Sequence, residues 1–125
     1  MASSIPHSHL FFDVLWVNSG IVVTTTTAQT VTMASALPPR DVNGTTDGEG
    51  CMIAMLTTTA NTNAAAIANA TVSYTNSKGT AGRTATLLAT GGAQIPVSPA
   101  IGTLVWFSLA AGDTGVRSIQ SITLG

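Results

Sequence analysis

His7 and His9 are the only side chains in this 125-residue sequence whose ordinary pKa would let them act as bases near neutral pH. A general base works only when it is held within hydrogen-bond reach of a nucleophile, with a third group to orient it. Both histidines fall in Met1–His9, a small, polar stretch that contains Pro6 and has no periodicity, which is the composition of a terminal arm. An arm does not hold a base in place, so no catalytic residue and no enzyme activity is expected. The pair could share a metal ion from one strand face, but no cysteine or acidic ligand lies near it in sequence.

The only acidic cluster is Asp41-Val42-Asn43-Gly44-Thr45-Thr46-Asp47-Gly48-Glu49. Its alternating oxygens resemble a calcium loop superficially. An EF-hand, however, needs acidic or amide ligands at positions 1, 3 and 5, glycine at 6 and glutamate at 12, and this order fails that pattern. Asp and Asn beside Gly are also what plain turns use, and turn chemistry is the expectation. No metal and no cofactor are expected. Five acids give no sign of a facing carboxylate pair. Gly44, Gly48 and Gly50 lead into a strand pattern rather than a helix, unlike a phosphate loop. Cys51 opens the apolar run Cys51–Leu56 and reads as a small buried hydrophobe; as the only cysteine it forms no disulfide within the chain. Asn43-Gly44-Thr45 and Asn69-Ala70-Thr71 match the glycosylation sequon. No Lys or Arg precedes the first apolar run, so no signal peptide is expected and the matches read as chance.

The elements that would carry a site are strands. Threonine is about one residue in six, and its branched Cβ favours a pleated strand over a helix. The pattern predicts strands at 20–33, 51–59, 67–75, 83–89, 101–109 and 116–124, with Leu10–Val17 as a further strand or a docking segment. Ala70, Val72 and Tyr74 alternate with Thr71, Ser73 and Thr75, the cleanest period of two in the chain. Residues 34–50, 76–82, 90–100 and 110–115 carry the Gly, Pro, Asn and Asp signals of loops. Seven or eight short strands with turns every 8–12 residues predict an all-β fold: a single-domain, jelly-roll-like β-sandwich over 10–125, with an extended, flexible N-terminal arm over 1–9. The terminal run Ser121–Leu124 would suit an edge strand, or one completed by a neighbouring copy.

Charged residues are 7% of the chain, against roughly 25% in an ordinary soluble domain. A free domain keeps charge for solubility, so this surface suits burial against partners. Arg40, Lys78, Arg83 and Arg117 are scattered and the net charge is −1, which argues against nucleic acid and against a polybasic membrane patch. No apolar stretch reaches the roughly 18–20 residues of a spanning helix. The aromatic residues concentrate in two segments, Phe11, Phe12 and Trp16, then Trp106 and Phe107. About half are expected in a core and the rest as interface anchors.

Several segments occur together in order: Thr24-Thr25-Thr26-Thr27-Ala28-Gln29-Thr30, Leu37-Pro38-Pro39-Arg40-Asp41, Asp47-Gly48-Glu49-Gly50, Ser73-Tyr74-Thr75-Asn76-Ser77, Gly79-Thr80-Ala81-Gly82-Arg83-Thr84 and Ala111-Gly112-Asp113-Thr114-Gly115-Val116-Arg117. With them the chain resembles small virion structural proteins of tailed bacteriophages, over roughly residues 10–124. These are turn and strand sequences rather than catalytic signatures. The resemblance implies a head decoration or cement protein that binds the major capsid protein, trimerises on the capsid surface, and is made in the host cytoplasm. Ile5, His7, Phe11, Phe12 and Trp16 are the expected interface residues. A tail, neck or fibre-attachment protein is the second reading, and a small ligand- or carbohydrate-binding β-sandwich is the third.

Overall fold

The computed structural model describes residues 11–31, 33, 35–60, 62, 64–88 and 94–125. The expected arm, with Ile5 and His7, lies outside the described residues. The described chain is all-β: β1 (Gln29–Thr30), β2 (Ile53–Leu56), β3 (Thr71–Asn76), β4 (Arg83–Leu87), β5 (Leu104–Ser108) and β6 (Val116–Thr123). All pair antiparallel in one sheet of order β1-β6-β3-β4-β5-β2. The all-β expectation holds, but a second sheet facing the first is not among the described residues.

The sheet curls into a half-barrel. Buried residues from one side of the sheet to the other, from Ile53 on β2 to Val31 just after β1, belong to one continuous core cluster. Val72, Tyr74, Ala85, Leu87, Phe107, Val116 and Ile122 point into the hollow, and the loop residues Trp16, Ile21, Val23, Ile67 and Ile95 fill it. Tyr74 and Ala85 are fully buried and Val72 is 2% exposed.

Two irregularities set the course of β6. Its register with β3 shifts between Ser73 and Tyr74 and again between Thr75 and Asn76, leaving Gln120 and Arg117 as the extra residues. The shifts turn Val116, Ile119 and Ile122 to the core at intervals of three. A regular strand from Val116 would have buried Ser118 and Gln120 instead. The displaced backbone groups are met from outside: Val31 N–H donates to the Gln120 carbonyl at 2.8 Å, and Ile119 N–H points at the Met33 sulfur at 3.3 Å. β6 is therefore an inner strand, paired by β1 on one side and β3 on the other, so of the two positions left open for the last strand the edge is not the one it takes.

The expected long strand over 20–33 shrinks to Gln29–Thr30. The Gln29 side chain explains this. Its Oε1 accepts from Val22 N–H at 2.8 Å and its Nε2 donates to the Val22 carbonyl at 2.9 Å, as a strand partner would. Val22–Thr25 closes as a turn, with Thr25 N–H donating to the Val22 carbonyl at 3.1 Å. Residues 11–17 also form no strand. Ile67 joins only an isolated bridge to Ile95, so the strand expected from Ile67 starts at Thr71.

Candidate functional site

The residues with chemical potential gather at one end of the sheet, where they do structural work. Asp41, 8% exposed, faces inward over its own loop. Its Oδ1 accepts from Asn43 N–H at 3.0 Å and Thr45 N–H at 2.5 Å. Its Oδ2 accepts from the Thr45 hydroxyl at 2.6 Å and from Gly48 and Glu49 N–H at 3.1 Å each. The Thr45 hydroxyl, ahead of the backbone donors, holds this carboxyl at a pKa of about 2. Hydrogens already occupy its lone pairs, so the loop is an aspartate-organised turn and not a cation cage.

Asp113 is the second such centre. The Tyr74 hydroxyl donates to Oδ2 at 2.5 Å, Asn76 Nδ2 to Oδ1 at 2.8 Å, and Arg83 Nε to Oδ2 at 2.8 Å. Ala110 N–H donates to the Tyr74 oxygen at 2.9 Å, and Arg83 Nη2 to the Ala111 carbonyl at 3.2 Å. The network ties the β5–β6 loop to β3 and β4. Arg83, then Tyr74, hold Asp113 at a pKa of about 2, while burial pushes the Tyr74 hydroxyl up. Cys51 is half-buried, and burial raises its thiol pKa, so its reactive thiolate form is disfavoured.

Charge collects at the same end. Arg83 pairs with Asp113 and Arg117 with Asp47 at 2.6 Å, while the exposed Arg40–Asp13 pair at 3.4 Å fastens the N-terminal segment to the start of the Asp41 loop.

The convex face of the sheet has the opposite character. Register places Thr30, Ser121, Ser73 and Thr84 in one row across β1, β6, β3 and β4. Thr123, Thr71, Thr86 and Ser108 form the next row, and Thr75 lies beside Ser118 in a third. Gln120 Nε2 ties that third row together, donating to Thr75 Oγ1 at 2.9 Å and Ser118 Oγ at 3.0 Å. Toward β5 and β2 the face turns apolar. Trp106 lies opposite Ala54 and Leu104 opposite Leu56, and Leu88 adjoins through its N–H to the Trp106 carbonyl. No ionisable residue occupies any of these positions.

Of the expected interface residues, Phe12 stacks at a tilt on Trp106, with ring centroids 4.9 Å apart. Phe11 is 92% exposed. Trp16 is half-buried and packs against the core. The adjacent aromatics of β5 divide: Phe107 is core at 2% exposure, and Trp106 faces outward, half-buried. Trp106→Ala is therefore expected to cost about 1–2 kcal/mol in urea unfolding, by partial loss of apolar burial, rather than the roughly 3–5 kcal/mol of a fully buried aromatic. The sequence reading missed Met52, Leu56 and Leu104, which are 63%, 53% and 40% exposed. Their alternation with Ile53, Met55 and Val105 was the available signal. Comparison of the chain with protein-family models, with curated proteins and with solved structures gives no match to any of them.

Proposed function

We propose that this chain is a non-enzymatic virion structural protein of the head decoration or cement type, which docks on the major capsid protein and reinforces the shell. In this reading the curled sheet is the body of a jelly-roll-like sandwich. The observation that carries the proposal is the segregation of charge. Ion pairs cap one end of the domain, while the convex face presents hydroxyls and, beside them, Phe12, Trp106, Leu104, Leu56 and Met52 with no charge at all. Hydroxyl rows cost little to desolvate when they find partners, and the aromatic cluster supplies the anchor. An uncharged surface with exposed apolar side chains favours a partner over bulk water. The resemblance of the turn segments to phage head proteins supplies the identity of that partner. Further copies of this chain, as the trimer the resemblance implies, complete the assembly on the capsid surface, and repetition over the lattice multiplies a modest contact.

The test is co-sedimentation with empty shells of the major capsid protein, with bound copies counted by quantitative mass spectrometry. Many copies per shell and greater resistance of the shells to heat are expected. Phe12→Ser and Trp106→Ala are expected to abolish attachment while the far-ultraviolet spectrum stays that of a folded β protein. A few copies per particle would move the chain to a tail, neck or fibre-attachment role. Glycan binding without shell binding would make it a carbohydrate module.

A further inference from the structure

β2 is the last strand on its side of the sheet, and none of the described residues pairs with its far edge. Thr57 N–H donates to the Thr103 carbonyl at 2.9 Å, and Gly102 N–H to the Thr57 carbonyl at 2.8 Å. The period of two then turns the backbone groups of Ile53 and Met55 toward β5, and those of Ala54 and Leu56 away from it. The other side of β5 agrees: Trp106, opposite Ala54, gives its carbonyl to Leu88 on the β4 side. Ala54 and Leu56 are both exposed.

Such an edge is normally blunted by a lysine, a proline, an inward charge or a bulge. β2 has none of these. Its register with β5 is unbroken, and no charged residue or proline occurs from Gly50 to Ser77.

We propose that β2 pairs antiparallel with β2 of a second copy of this chain, about a two-fold axis through Met55. In this register Ala54 of each copy faces Leu56 of the other, so both outward N–H groups of each strand meet a carbonyl. The side chains agree with the backbone. Leu56 lies over the small Ala54 of the second copy and beside that copy's Trp106, so a large residue meets a small one at both symmetry-related positions. Identical strands repel when they carry charge, and this one carries none. The apolar half of the convex face becomes continuous across the axis. A partner of another kind would need its own complement to this spacing, whereas the strand already complements itself.

The proposal rests on edge geometry alone, and its test uses the isolated chain with no capsid protein present, so it stands or falls apart from the virion reading. Light scattering after gel filtration is expected to give twice the 12.6 kDa chain mass. Leu56→Lys and Ala54→Lys should each weaken association by about a hundred-fold or more, with circular dichroism unchanged. Thr84→Lys, exposed on β4 away from the edge, should leave it intact. The axis also brings the two Met55 Cα atoms to about 4.5 Å as a non-hydrogen-bonded pair, inside the roughly 4.4–6.8 Å range of a disulfide. Met55→Cys in a Cys51→Ser background should therefore form a covalent dimer on mild oxidation, and Cys51→Ser alone should not. A single-chain mass at every concentration, or a dimer or trimer indifferent to both lysines, would overturn the pairing. A dimer sensitive to the lysines that gives no Met55→Cys crosslink would overturn the register.

Discussion

Gly48→Ala is expected to destabilise the fold by about 2–5 kcal/mol, a large share of the stability of an ordinary domain. Gly48 has φ +77°, and a Cβ there would fall on the Val116 carbonyl. That backbone cannot step aside, because Gly48 and Val116 are bonded to each other: the Gly48 carbonyl accepts from Val116 N–H at 2.9 Å and from Cys51 N–H at 3.1 Å. The left-handed conformation costs a side chain roughly 1–2 kcal/mol, and overpacking against fixed neighbours about 1–3 kcal/mol more. Gly115 sits on the other side of the same contact. A Cβ there would meet the Gly48 carbonyl and lie 2.7 Å from Glu49 Cα, with no positive φ involved. Gly115→Ala thus isolates the steric part and should lose somewhat less. Gly82 has φ +70° and nothing within 4 Å of its would-be Cβ, so Gly82→Ala should cost only the roughly 1–2 kcal/mol of the left-handed conformation. Urea unfolding of the three variants gives the ranking; equal losses at Gly48 and Gly82 would mean that the close backbone approach is not what constrains the loop.

That contact is a useful measure of what sequence patterning conveys. Asp47-Gly48 read correctly as a turn, because Asp and Gly report local backbone preference. That the turn must admit the start of β6 is a tertiary fact with no local trace. The same division runs through the strands. β3 was legible because Val72 and Tyr74 alternate with Ser73 and Thr75 in an unbroken period of two. β6 was legible as a strand but not in its facing, since its two bulges convert that period to three at Val116, Ile119 and Ile122. β1 was overdrawn because the Ile-Val-Thr run satisfies strand propensity, while one side chain, Gln29, takes the place of a pairing strand and folds the run back. At β5 the pleat guarantees that Trp106 and Phe107 face opposite ways. Only Ser108, on the same side as Trp106, hinted which one faces out. The scarcity of charge and the abundance of threonine were legible in composition; that they make a convex face with hydroxyl and apolar halves needed the strand order.

Acid should unfold this protein through two aspartates in particular. Asp41 and Asp113 both have folded pKa values of about 2, against an ordinary 3.8. A depressed pKa means the folded state holds the proton more weakly than the unfolded chain does. The stability each group contributes is therefore complete above its unfolded value near 3.8 and is lost as pH falls toward its folded value near 2. Between those limits, the unfolded chain should bind about two more protons than the native one on account of this pair. Melting temperature should thus stay flat with respect to these groups from neutrality down to about pH 5 and fall steeply between about pH 4 and pH 2. Asp113→Asn tests the assignment. The amide keeps the shape, but it leaves Arg83 without its countercharge, and its nitrogen faces a donor of the network where an oxygen stood. At neutral pH the melting temperature should drop on the order of 10 °C, and the acid slope should fall by about one proton. Tyr74→Phe separates charge from hydrogen bonding. It should cost about 1.5–3 kcal/mol, because Ala110 N–H loses its acceptor and Asp113 one of its donors. Arg83 and Asn76 still hold the carboxylate, so most of the acid slope should remain. An Asp113→Asn protein that keeps the full wild-type acid slope would show that other carboxylates drive acid unfolding.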